Sequence, residues 1–248
     1  RMVTTVNSES ANTRSPSVKA AMLNSLASGT AEHGLLCRIL RGGNSSWPAP
    51  GSAAFEQRFL DACRAHGVVA LVHHQSKVTA AGHDWPADVL AVLAREATME
   101  TALNMLREVE LIAVLDAFAA ASIPNVLLKG TPLAYSHYAE PALRPRCDTD
   151  LLIPSAAREM TARALEGLGY RRHDAVSGTF ISYQDSFHRT TGNVDHVIDV
   201  HWRINNSQLF ARALTFDAAH ARSVAVPPLG TWARALCPPH ALLLACMH

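Results

Sequence analysis

Two carboxylates occupy alternate positions in Arg144-Pro-Arg-Cys-Asp-Thr-Asp-Leu-Leu-Ile-Pro154, immediately before an apolar run that reads as a buried strand. Side chains on a strand alternate between faces, so Asp148 and Asp150 project one way while Leu151 and Ile153 face the opposite layer. Acids held that close repel each other unless a cation sits between them, and Mg2+ or Mn2+, with their preference for oxygen ligands, resolves the repulsion. A third acid comes from Val197-Ile-Asp-Val-His-Trp202, where the same alternation puts Asp199 and His201 on one face and Ile198, Val200 and Trp202 on the other. Asp195 lies four residues earlier and would share that side of a regular strand, so periodicity alone does not choose between Asp195 and Asp199. The Asp-x-His-Trp context favours Asp199. Carboxylates from two strands converging in this way are suited to metal-assisted phosphoryl chemistry.

Such chemistry also needs groups that receive phosphate. Asn125-Val-Leu-Leu-Lys-Gly-Thr-Pro-Leu-Ala134 is a short apolar strand that ends in Lys-Gly-Thr and runs into a helix. Glycine there allows close approach of a ligand to the backbone, and the N–H groups that open the helix form an anion site. Lys129 adds a cation beside the Gly130-Thr131 turn. Arg144 and Arg146 could add bidentate ones, although local pairing of a loop arginine with Glu140 is nearly as plausible. His201 would orient Asp199, contact a phosphate, or serve only as a hydrogen-bonded strand residue. Trp202 points away from the acids and reads as core.

The order strand, Gly-Thr turn, helix, paired Asp on a strand, and distal acid on another strand resembles the DNA polymerase beta-like nucleotidyltransferase superfamily. More narrowly, Leu-Leu-Lys-Gly-Thr-Pro-Leu-Ala, Leu-Arg-Pro-Arg-Cys-Asp-Thr-Asp-Leu-Leu-Ile and Ile-Asp-Val-His-Trp-Arg are similar to a bacterial nucleotidyltransferase family described as uncharacterised. The resemblance covers about residues 30 to 248. It implies an α/β (α+β) fold with a small mixed sheet flanked by helices, and a site in which Asp148, Asp150 and Asp199 hold Mg2+ or Mn2+. It further implies that an NTP is bound by Lys129, Gly130, Thr131, Arg144 and His201, and that NMP passes to an acceptor hydroxyl with release of pyrophosphate. Thr131 stands where many superfamily members have Ser, which keeps the hydroxyl. Lys129 stands where many have an apolar residue, a departure the narrower family accommodates.

Composition limits the partners. The 248 residues carry 22 Lys+Arg and 21 Asp+Glu, a formal net charge of +1, so no overall field recruits a polynucleotide. A small molecule, peptide or protein acceptor is expected instead. Five cysteines, at 37, 63, 147, 237 and 246, form no Cys-x-x-Cys pair and are odd in number, which indicates reduced thiols in a cytoplasmic protein rather than a zinc ribbon or disulfide framework. His73-His74, His240 and His248 lack companions at ligand spacing. No apolar run reaches the roughly 20 residues of a membrane span.

Along the chain, residues 1–29 read as a flexible tail, 30–122 as a helical region, 123–205 as the catalytic core and 206–248 as C-terminal helices. Helices are predicted over 32–41, 53–65 and 67–76, and a long one from Pro86 towards Pro124. Strands are predicted at 125–129, around 170–174, at 178–184 and over 194–203, with a helix over 155–168 stopped by Gly169. The final Pro239-to-His248 segment opens a helix with no stop signal, so the chain is expected to be cut short; the family resemblance implies further helices beyond it, and with them part of the acceptor pocket. Two other readings compete: a catalytically inactive nucleotide-binding regulatory module, and a metal-dependent phosphohydrolase in which water replaces the acceptor.

Overall fold

The computed structural model describes residues 30–43, 45–48, 51–79, 84–173 and 183–247. The tail expected over 1–29 lies outside the described residues, as does most of the strand expected at 178–184. The chain forms two compact units, one ending at Leu90 and the other running from Ala91 to His248.

The first unit contains α1 (Ala31–Leu40), α2 (Ala53–Ala65) and α3 (Val69–Val78). The hydroxyls of Thr30 and Ser52 accept from the N–H groups of His33 and Phe55, satisfying helix-opening donors that would otherwise lack partners. Its core is aromatic. Trp47 meets Phe55 and Phe59 edge-on, and Trp85 donates its indole N–H to the Ser45 carbonyl at 3.0 Å.

Helix α4 (Ala87–Ala120) carries the chain into the second unit. It stops without glycine: Ser122 adopts φ 54°, while the N–H groups of Ile123 and Ser122 bond back to the carbonyls of Phe118 and Ala119. That is a Schellman closure, and it delivers the chain directly into the sheet.

Strands β1 (Val126–Leu128), β2 (Thr149–Leu152), β3 (Arg171–Arg172), β4 (Gln184–Thr191), β5 (Val194–His201), β6 (Val224–Ala225) and β7 (Arg234–Ala235) form one mixed sheet among the described residues, in the order β3-β4-β5-β2-β1-β7-β6. The β2–β5 and β1–β7 pairs are parallel and the rest antiparallel. Helices α5 (Gly130–His137), α6 (Arg158–Gly167), α7 (Phe216–Ala221) and α8 (Pro238–Met247) complete the unit.

Alternation divides the sheet into two working faces. Leu127, Leu151, Ile198 and Val200 pack on Leu111, Val114, Leu115 and Phe118 of α4. Each Leu fully buried in this way contributes about 1.5–3 kcal/mol. The opposite face carries Val126, Leu128 and Leu152 against Ile204, Leu214, Leu236 and Leu244. Asp150, paired with Leu128 across β1 and β2, lies on this second face at the end of its apolar patch.

The structure departs from the sequence reading in two places. Strand β4 begins at Gln184, the last residue of the strand expected at 178–184, and runs on to Thr191 where none was expected. The segment after residue 206, read as wholly helical, adds β6 and β7 to the sheet around a 3-10 turn at Pro227–Leu229.

Candidate active site

Parallel pairing of β2 with β5 sets Asp150 directly opposite Asp199 and Leu152 opposite His201. Antiparallel pairing of β4 with β5 sets Ser186 opposite Asp199. Register therefore brings residues from three strands to one spot. One ligand atom each from Asp150, Asp199 and His201 lies within 4.8 Å of the others.

Asp150 is the hub of the cluster. It is 4% exposed, and its Oδ1 accepts from Lys129 Nζ at 2.6 Å and bonds His201 Nε2 at 2.8 Å. Burial alone would raise its pKa, but the His201 and Lys129 hydrogen bonds and charges outweigh it and hold the carboxyl below the usual range. Asp199 is half-buried, and its Oδ1 accepts from the Ser186 hydroxyl at 2.5 Å.

Asp148 stands just outside β2 and is the most open to solvent of the three acids. It is not part of the close trio, yet partial burial and the charges of Asp150 and Asp199 push its pKa up, with Lys129 opposing. The carboxylates of Asp148, Asp150 and Asp199 thus share one electrostatic environment, short of positive charge. Asp195 is elsewhere: it pairs across from Thr190 and accepts from that hydroxyl at 2.7 Å, exposed at the far end of β5. Of the two acids that the sequence left open, Asp199 is the one beside Asp150.

The phosphate-side residues are less as expected. The unusual backbone of the turn belongs to Lys129, at φ 51° and ψ −123°, and Gly130 does not have positive φ. A side-chain-bearing residue held in such a region costs about 1–3 kcal/mol. Thr131 is 1% exposed and its hydroxyl lies 3.4 Å from that of Thr149, so its side chain is turned into the protein rather than offered to a ligand. Arg144 donates from Nε to the Gly130 carbonyl at 3.4 Å instead of pairing with Glu140, which places its guanidinium beside the turn. Arg146 is buried against Tyr135, donating to its hydroxyl at 3.2 Å. Trp202, read as core, is half-buried, with the Arg158 guanidinium 3.7 Å from its ring centroid.

Sequence reasoning missed Ser186. Its only signal was a place opposite Asp199, and that required knowing that β4 exists.

The residues fit a divalent cation. Two carboxylates and a histidine within ligand distance of one another, with a third acid raised by burial and by their charge, form an oxygen-rich donor set that such an ion would neutralise.

The chain belongs to the family described as uncharacterised nucleotidyltransferase, whose sequence profile matches residues 52–248 and so spans the whole of this site. No curated protein matches the chain. A solved structure titled "Solution Structure of Antibiotic-Resistance Factor ANT(2'')-Ia Reveals Substrate-Regulated Conformation Dynamics" is similar over 42% of this chain and 47% of that chain, at 19% identity and a TM-score of 0.28. The chain thus spans about half the length of that protein. Among the described residues no helix is long and apolar enough to cross a membrane.

Proposed function

We propose that this nucleotidyltransferase depends on Mg2+ or Mn2+ and transfers NMP from an NTP to a hydroxyl of a small-molecule, peptide or protein acceptor, releasing pyrophosphate. The observation that carries the reading is the in-register facing of Asp150 and Asp199, with His201 within 4.8 Å of both. Asp150, Asp199 and Asp148 would hold the cation, which supplies Lewis-acid neutralisation of the phosphates.

The chain's own groups divide the remaining work. His201 fixes the orientation of Asp150, and Ser186 that of Asp199. Asp199, the more accessible of the facing pair, takes the proton of the acceptor hydroxyl as its oxygen bonds to the α-phosphorus. The bond from that phosphorus to the bridging oxygen breaks, and its electron pair leaves with pyrophosphate. The opening of α5 at Gly130 and Thr131, where helix geometry leaves the first N–H groups without intrahelical partners and the dipole is positive, would receive that leaving charge. Lys129 and Arg144 flank the turn and add positive charge. A net charge of +1 supports a non-polynucleotide acceptor. The five free cysteines support a reducing, cytoplasmic setting.

A crystal structure with a non-hydrolysable NTP and Mn2+ tests the reading. The expected result is an ion touching Asp150 and Asp199 with phosphates at Gly130 and Thr131. Phosphates bound away from that turn, or an ion bound away from both acids, would overturn it.

A further inference from the structure

Lys129 contradicts the simplest account of its role. A lysine serving only the triphosphate should extend towards the helix opening, where phosphate would lie. Instead its ammonium sits 2.6 Å from Asp150 Oδ1, the oxygen that His201 also holds. Its positive charge is felt by both Asp148 and Asp150. The backbone that allows this is the φ 51°, ψ −123° turn, a conformation that favours glycine, although glycine is the next residue along. A strained lysine aimed into an acid cluster is held there by what it contacts.

Resting on the metal-site reading above, we propose that Lys129 is a built-in counter-cation. Its ammonium competes with the divalent ion for Asp150 and is released towards the substrate's phosphates when that ion binds. The acid cluster would otherwise hold mutually repelling carboxylates, one of them buried, in the metal-free protein. Lys129 neutralises them until metal arrives. The same charge is then free to meet the triphosphate, so metal loading and polyphosphate binding reinforce each other. A lysine suits this exchange because its compact ammonium sits on a flexible four-carbon stem. The side chain is 28% exposed, so part of it already reaches solvent.

Two readouts on the full chain test this without nucleotide. The first is Mn2+ affinity by titration calorimetry. Lys129→Met is expected to tighten Mn2+ binding by about tenfold or more, because a cation that must be displaced is gone. Lys129→Gly, which the turn's backbone favours, should do the same and guards against a folding defect in the first variant. The second readout is acylation of lysine amines, followed by mass spectrometry. The sequence has lysines only at 19, 77 and 129, and exposed Lys77 serves as the internal reference. Adding Mn2+ should accelerate labelling of Lys129 severalfold relative to Lys77. In Asp150→Asn, Lys129 should label fast with or without Mn2+.

Unchanged or weaker Mn2+ binding in both Lys129 variants would overturn the proposal. So would tighter binding without faster Lys129 labelling in the unsubstituted protein, since that pattern is general charge repulsion rather than exchange of a seat. If Asp150→Asn itself binds Mn2+ as the unsubstituted protein does, the underlying metal-site reading fails as well, and the two failures are told apart by that variant.

Discussion

Asp199 Oδ1 accepts a 2.5 Å hydrogen bond from the hydroxyl of Ser186, its direct cross-strand partner on β4. In the proposed reaction Asp199 is the proton acceptor and must hold its angle to the attacking hydroxyl, and the Ser186 hydrogen bond would fix that angle. Ser186→Ala is expected to lower kcat by roughly 10–100-fold, as for other groups that orient a site carboxylate, while KM for the NTP stays within about threefold. Ser186→Thr should restore most of the rate. Steady-state kinetics of label transfer from an α-labelled NTP check both.

Asp148 should show a trade between stability and activity. Its pKa is raised by partial burial and by the Asp150 and Asp199 charges, so the folded, metal-free protein holds this proton more tightly than the unfolded chain. Stability from that group is present below the unfolded pKa of about 4 and lost as pH rises through the folded value. At neutral pH the ionised Asp148 is therefore a cost. Asp148→Asn is expected to raise the metal-free Tm slightly, by about 1–2 °C after solvent screening, and to lose the further rise expected when Mn2+ binds the unsubstituted protein. Calorimetric scans with EDTA and with Mn2+ decide it.

How much of this was legible in the sequence depended on pattern strength. The long helix was, because apolar residues from Leu90 to Phe118 recur with no glycine or proline among them. The faces of β2 and β5 were too, because Leu151, Ile198 and Val200 alternate with acids. β4 was not: Phe187 is its only buried side chain, so its period of two is hidden among polar residues. β6 and β7 are two residues each beside prolines, held by neighbours rather than by their own propensity. The strain at Lys129 was equally invisible, since local rules assign such backbone to the adjacent Gly130.

That strain is measurable. Both Lys129→Ala and Lys129→Gly remove the ammonium from Asp150, but only glycine relaxes the φ 51°, ψ −123° backbone. The glycine variant is expected to be more stable than the alanine variant by about 1 kcal/mol, the reverse of their order at an ordinary position. Urea unfolding of the pair tests this difference directly.

Acid should weaken the second unit through His196. His196 is buried on the sheet face opposite the acids, and burial lowers its pKa below 6.5, with Glu110 opposing and Arg107 and Arg189 reinforcing. A lowered histidine pKa means that the unfolded chain binds the proton first. Its stability contribution is present above about pH 6.5 and lost as pH falls through the folded value. Tm should fall between pH 7.5 and 5.5, and His196→Gln should flatten that slope. An unchanged slope would place the titrating group elsewhere.

The central claim, that Asp150 and Asp199 together support transfer of NMP, is tested most directly by following radiolabel from α-labelled NTPs into acceptors in a cell extract, with Mn2+, for the unsubstituted chain and Asp199→Asn. The account predicts label transfer with stoichiometric pyrophosphate for the former, and a fall of about a thousandfold or more in the variant with NTP affinity largely kept. Transfer that survives in Asp199→Asn, or release of inorganic phosphate in place of pyrophosphate, would contradict it.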